Sequence, residues 1–265
     1  MKAAGNESKA ADGTEFHGVL YDSFACVGCR NCESACAEAH GLTLAQDELV
    51  AGVTRKTSET QRCVINAYNT PNGEAYMRTQ CMHCNEPACV AACLTKAMYK
   101  TKEGPVIWRE DKCMGCRYCM VSCPFDVPKF EYHSANPKIQ KCDMCYDRII
   151  EGKIPACVEN CGVALFYGTR RELIAEARKR IVENPGVYVD KVYGDTVAGG
   201  TGCLYLSSVP VNELGMKTDL QNSSYPALTK GFLYSVPSVF VIVPTLLLGI
   251  SKATKNKPEI SEEDE

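Results

Sequence analysis

This sequence predicts an α+β chain of two nested, cluster-bearing halves followed by one transmembrane helix. Two observations carry the prediction. Sixteen of the 18 cysteines fall into four blocks of four, and residues 232–250 run without a single charge. The first block is Cys26, Cys29, Cys32 and Cys36, spaced C-x2-C-x2-C-x3-C. The second is Cys81, Cys84, Cys89 and Cys93, spaced C-x2-C-x4-C-x3-C. The third is Cys113, Cys116, Cys119 and Cys123, with the spacing of the first and Pro124 behind it. The fourth is Cys142, Cys145, Cys157 and Cys161, spaced C-x2-C-x11-C-x3-C.

The first and third blocks have the spacing of bacterial ferredoxins, in which three close thiolates wrap one cubane and the fourth usually ligates its neighbour. Four blocks supply sixteen ligands, enough for four [4Fe–4S] clusters. Zinc sites need no third cysteine two residues beyond a C-x2-C pair. Disulfide frameworks belong to short secreted chains, whereas this one has 265 residues. The sequence has no C-x2-C-H and so gives no support for covalently attached haem. A net charge of −3 is too small to indicate a nucleic-acid partner.

The organisation follows from the spacing of the blocks. Only residues 94–112 separate blocks two and three, so these pair as one ferredoxin-like half, and blocks one and four pair around them. The expected ligand sets cross between blocks. Cys81, Cys84 and Cys89 join Cys123, while Cys113, Cys116 and Cys119 join Cys93. Cys26, Cys29 and Cys32 join Cys161, while Cys142, Cys145 and Cys157 join Cys36. The tetracluster domain is then 19–168, with one half made of 19–80 plus 133–168 and the other of 81–132. Residues 1–18 are polar, with no apolar run and no twin arginine, and read as a flexible arm. Residues 169–229 form a helix and strand extension. Residues 252–265 form an acidic tail.

Local signals place the smaller elements. Glu103, Gly104 and Pro105 make a turn before a strand at 106–109. Pro124 favours a turn that ends the short helix carrying Cys123. Thr169 and Glu172 match a capping box, and Leu173, Ala177 and Ile181 form the apolar stripe of the helix behind it. Asn184, Pro185 and Gly186 stop that helix. Arg178, Lys179 and Arg180 read as its solvated face, and 187–192 and 203–211 as strands around Gly199 and Gly200. Cys63 and Cys203, outside the blocks, read as buried structural thiols. His83 reads as structural, and Trp108, Tyr118 and Phe125 as shields between clusters and water.

The uncharged run, placed in a helix over 231–251, spans roughly 28 Å at the helical rise, close to a bilayer core. Pro237 and Pro244 are tolerated in membrane helices. Lys252, Lys255 and Lys257 follow the run, and Lys230 is the nearest lysine before it. The positive-inside rule then puts the C-terminus in the cytoplasm and the clusters outside it.

Longer strings extend these motifs. CMHCNEPACVAAC (residues 81–93), CMGCRYCMVSCPFDVPKFEY (113–132) and KCDMCYDRIIEGKIPACVENC (141–161) resemble the four-cluster subunit of membrane-bound respiratory oxidoreductases. Within that family the chain is similar to the electron-transfer subunits of formate dehydrogenase, of periplasmic nickel–iron hydrogenase and of multihaem cytochrome c:menaquinone reductase. The GTRRELIAEARKR segment and the VYGD…GGTG…LYLSSVP stretch belong to the same likeness. Many relatives carry proline after most blocks, but Cys36, Cys93 and Cys161 are followed here by Ala37, Leu94 and Gly162. Each replacement restores a backbone N–H that can reach sulfur and raise a potential.

The resemblance implies an electron relay without bond chemistry of its own, in a hetero-oligomer. One partner would be a periplasmic molybdopterin-type, hydrogenase or multihaem cytochrome c subunit. The other would be an integral membrane quinone-binding subunit. The location would be the inner membrane, single-pass, with the cluster domain on the periplasmic side. Such subunits are exported with a signal-bearing partner. The competing reading is a soluble-type four-cluster ferredoxin serving a cytoplasmic hydrogenase or dehydrogenase. The donor, the direction of flow, the potentials and the presence of a three-iron cluster stay open at this level.

Overall fold

The computed structural model describes residues 13–255, so most of the expected arm and tail lie outside the described residues. The chain divides into two compact units, Met1–Tyr225 and Pro226–Glu265. At the centre of the first is β1 (His17–Asp22), which starts inside the stretch read as an arm. It is a nearly continuous apolar run, as expected of a strand covered on both faces. β8 (Leu165–Thr169) pairs with it antiparallel, His17 opposite Thr169. β9 (Cys203–Leu206) pairs with it parallel, Val19 opposite Cys203. The β1–β9 approach requires Gly18, where a Cβ would stand 2.3 Å from the Gly202 carbonyl oxygen.

Strand alternation gives this sheet two different faces. Leu20, Leu204 and Leu206 face α6 (Arg170–Glu183) and pack on Leu173, Ile174 and Ala177. Val19, Tyr21, Cys203 and Tyr205 face the other way, into the core that holds Cys32 and Cys157. The expected capping box is present, with Thr169 accepting from the Glu172 amide, and Asn184 caps the C-terminal end. Arg178 and Lys179 are exposed as expected. Arg180 is not part of a solvated face. It is mostly buried, pairs with Asp22 at 3.0 Å and lies over the Phe166 ring.

The remaining strands are short hairpins that carry the cysteine loops. β2 (Val64–Thr70) and β3 (Gly73–Thr79) run antiparallel from Val64 opposite Thr79 to Thr70 opposite Gly73. β4 (Met98–Lys100) pairs with β5 (Val106–Trp108), the strand expected at 106–109. β6 (Lys129–Phe130) pairs with β7 (Ile139–Gln140). Two expected strands fall short. Residues 187–192 form turns, tied down through the Val189 N–H donating to the Ser207 carbonyl. The expected strand at 203–211 ends at Leu206, where Ser207 turns its hydroxyl onto the Val209 carbonyl.

In the second unit, α7 (Tyr225–Thr254) is longer than the span read from the sequence and begins earlier. It is long and apolar enough to cross a membrane, and none of its residues is buried. Pro237 and Pro244 sit inside it. Thr245 donates its hydroxyl to the Val241 carbonyl, keeping polar groups within the helix.

Candidate metal centres

Each cysteine block is a loop that ends in a short helix. Cys26 and Cys29 lie on the loop after β1, and Cys32 and Cys36 on α1 (Asn31–His40). Cys81 and Cys84 precede α2 (Ala88–Ala91), which carries Cys89 and has Cys93 just beyond it. Cys113 and Cys116 precede α3 (Tyr118–Val121), which carries Cys119. That helix stops before Cys123, so Pro124 follows the stop rather than making it. Cys145 caps α4 (Tyr146–Ile150), and Cys157 lies on α5 (Ala156–Glu159) with Cys161 two residues beyond.

The backbone repeats with the blocks. The residue just before the second cysteine is left-handed in all four: Gly28 at φ 70°, His83 at 48°, Gly115 at 72° and Met144 at 60°. Glycine adopts this region freely, but His83 and Met144 do so against side-chain sterics. Such turns gather successive N–H groups into a concavity that suits an anionic iron–sulfur centre. The amides that reach sulfur include Met98 N–H on Cys93 at 3.4 Å and Met144 N–H on Cys142 at 3.3 Å. The Gly28 amide reaches Cys26 in the same way.

The thiols meet across blocks. Cys123 lies among Cys81, Cys84 and Cys89. Cys119 has Cys113, Cys93 and Cys116 around it. Cys26 faces Cys161 and Cys29. Cys36 faces Cys142 and Cys157, and Cys145 faces Cys157. Burial, and then these neighbours, push the Cys89 thiol up to about 12 and the Cys119 and Cys145 thiols to about 11. Packed thiolates cannot stay ionised together without cations among them. A polycationic iron core held by four thiolates supplies that charge, so the donor set fits [4Fe–4S] centres.

Cys63 and Cys203, outside the blocks, are buried as expected. The Cys63 thiol is buried and donates to the Cys32 carbonyl. The Cys203 thiol donates to the Cys81 carbonyl and accepts from Gln80. His83 is buried, its Nδ1 accepting the Val106 N–H at 2.9 Å. Burial, then Lys141, Lys100 and Arg78, hold its pKa well below the ordinary histidine value, so the ring is neutral with its proton on Nε2. Trp108 and Phe125 are half-buried, but Tyr118 is 53% exposed and makes a poor shield. A cavity of about 240 Å³ lined by Tyr68, Met82, Phe125, Tyr193 and Tyr205 has no block cysteine on its wall.

Three cations near the block thiols, Lys141 and Arg78 buried and Lys100 half-buried, have no signature in the spacing of the blocks. Lys100 donates to the His83 carbonyl at 3.1 Å, and burial brings its pKa down to about 8 despite Cys84 and Cys81 nearby. Lys141 donates to the Val106 and Cys142 carbonyls. Arg78 is 1% exposed. The signal for Arg78 was strand alternation through Tyr76, Arg78 and Gln80, which is visible only once β3 is recognised.

Four thiol-rich loops, each with a left-handed turn before its second cysteine, define an electron carrier built on iron–sulfur clusters. Residues 73–170 match the 4Fe-4S dicluster domain. A protein of Nitratidesulfovibrio vulgaris is 44% identical over all of this chain and 75% of that protein. Hydrogenase-2 operon protein HybA of Escherichia coli O157:H7 is 32% identical over 90% of this chain and 85% of its own length. The iron-sulfur subunit of the nitrate-inducible formate dehydrogenase of Escherichia coli K12 is 29% identical over 81% and 76%. The chain belongs to this family of ferredoxin-like iron–sulfur electron-transfer subunits of membrane-associated respiratory oxidoreductases. Its cofactors are four [4Fe–4S] clusters.

Proposed function

We propose that this chain relays electrons between an extracytoplasmic oxidoreductase or cytochrome c subunit and a membrane subunit that handles quinone. The observation that carries the reading is the mixing of thiols from different blocks, which suits a row of centres rather than four isolated ones. The sixteen block cysteines act as ligands in the crossed sets given above, forming two nested halves. When bound, the clusters supply one-electron carriers. The residues of the chain fix their spacing, exclude water and aim N–H groups at sulfur. With every block thiol used in ligation, the chain turns over no substrate. It works beside a catalytic partner of hydrogenase, molybdopterin or multihaem cytochrome type.

Counting iron tests the ligation. Anaerobically purified protein is expected to hold about sixteen irons per chain, four for each cubane. About fifteen irons with the paramagnetic signal of an oxidised three-iron cluster, or about twelve without it, would mean that one ligand set is wrong.

In the same reading α7 anchors the chain in the inner membrane, with its C-terminus in the cytoplasm and the clusters on the periplasmic side. The lysines at 252, 255 and 257 support that orientation. Protease added to spheroplasts is expected to cut the cluster unit. Protection there, with cutting only after lysis, would put the clusters in the cytoplasm and favour the soluble-type ferredoxin role. Removing residues 231–251 is expected to weaken membrane attachment of the assembled complex, and unchanged attachment would deny the helix an anchoring role.

A further inference from the structure

Arg78 lies on β3, on the face it shares with Tyr76 and Gln80. That face looks at cysteine chemistry along its length. The Tyr76 ring fills the space that a Cβ on Gly28 would need, 2.4 Å away, inside the loop of block one. Gln80 donates to the Cys203 thiol at 3.1 Å. Between them, the Arg78 guanidinium sits beside the Cys63, Cys157, Cys32 and Cys142 thiols.

Its donors are not all used. Nε and Nη1 are buried and have no acceptor among the described residues. Lys100 and Lys141 differ, because each donates to backbone carbonyls. A buried guanidinium left without acceptors is strongly destabilising. A guanidinium keeps its proton in proteins. It is therefore a permanent cation with spare donors, placed where block one meets block four.

We propose that Arg78 is the potential-setting residue of the two centres held by blocks one and four, its Nε–H and Nη1–H donating to their sulfur atoms. A cubane carried by four thiolates is an anion that gains a further negative charge on reduction. A fixed cation and N–H donors stabilise the reduced form more than the oxidised one and so raise the potential. Lys100 beside Cys81 and Cys84, and Lys141 beside Cys89, present charge to the other pair but with their hydrogen bonds directed elsewhere. The proposal rests on the ligand sets given above.

The test is a potentiometric titration followed by electron paramagnetic resonance, on the full chain in its complex. Cys145→Ser and Cys116→Ser first assign the signals to the block one–four pair and the block two–three pair. If neither changes a signal, the ligand sets are wrong, and Arg78 is not yet at issue. With signals assigned, Arg78→Met is expected to make the block one–four centres at least about tenfold harder to reduce, about 59 mV for one electron. The other pair is expected to stay within experimental scatter. Arg78→Lys keeps the charge but loses the planar fork, so its shift is expected to be smaller in the same direction. Retained iron with all four potentials unmoved in Arg78→Met would overturn the proposal. Should Arg78→Met lose iron, Arg78→Lys decides the matter by the same shift. Loss of iron from both pairs in both variants would make Arg78 a structural residue and overturn it too.

Discussion

Replacing Cys116 by Ser is expected to stop electron transfer through the assembled complex by about a hundredfold or more, since a hydroxyl is a poor substitute for thiolate on iron. The catalytic partner's turnover with an artificial electron carrier is expected to survive. Cys116 suits this test because it is exposed and lies on a loop, so the fold around it has little packing to lose. Its neighbours Cys113, Cys119 and Cys93 keep their places on separate elements. The measurement is the two rates side by side, quinone reduction or oxidation by the complex and the partner's reaction with the dye. If the dye reaction also disappeared while the complex remained assembled, this chain would hold part of an active site, and the relay reading would be wrong.

Arg170→Met is expected to give the largest loss of stability outside the clusters, roughly 3–5 kcal/mol by analogy with broken buried ion pairs. Arg170 is fully buried at the start of α6. It donates to the Thr201 carbonyl at 2.7 Å and the Asp195 carbonyl at 2.7 Å, and it pairs with the Asp195 carboxylate at 3.5 Å. Methionine fills the space but leaves those acceptors buried and unsatisfied. The loop it holds supports block two, because Gly202 and Cys203 donate their N–H groups to the Met82 carbonyl and Asn85 donates to the Gly200 carbonyl. Unfolding of such a protein is irreversible in practice, so the readout is a rate. Visible cluster absorbance in guanidinium is expected to bleach at least about tenfold faster than in the parent protein. An unchanged rate would mean that the loop is held without Arg170.

The cysteine blocks could be read in advance because ligand spacing is local. A cubane fixes its ligands' separation along the chain, and the short helices around Cys89, Cys119 and Cys157 follow from it. The cap at Thr169 and the stripe through Leu173 and Ala177 were legible for the same reason. Tertiary contacts were not. The β2–β3 hairpin is a long regular element that the sequence reading passed over, and with it went Arg78. Residues 187–192 are apolar enough for a strand, yet a neighbouring turn uses their hydrogen bonds instead. Arg180 looked solvated by its run of charges, but its partner Asp22 stands 158 residues away in the chain. Strand β1, which begins two residues inside the expected arm, was not legible because its partners lie at the far end of the first unit.

That placement of β1 bears on when this protein can fold. A chain leaves the ribosome from its N-terminus, so β1 emerges before the strands that flank it. Its parallel partner, β9, comes far later. The nearby Ser23 and Ser207 hydroxyls, which meet across this junction, are 184 residues apart. At about 5–20 residues per second, synthesis takes roughly 10–40 s to bridge that interval. Cys26, Cys29 and Cys32 emerge well before Cys161 and before the sheet beside them can close. The newborn chain is therefore an open array of thiols, exposed to oxidation and to stray metals. How long those thiols stay open is set by the order of the strands.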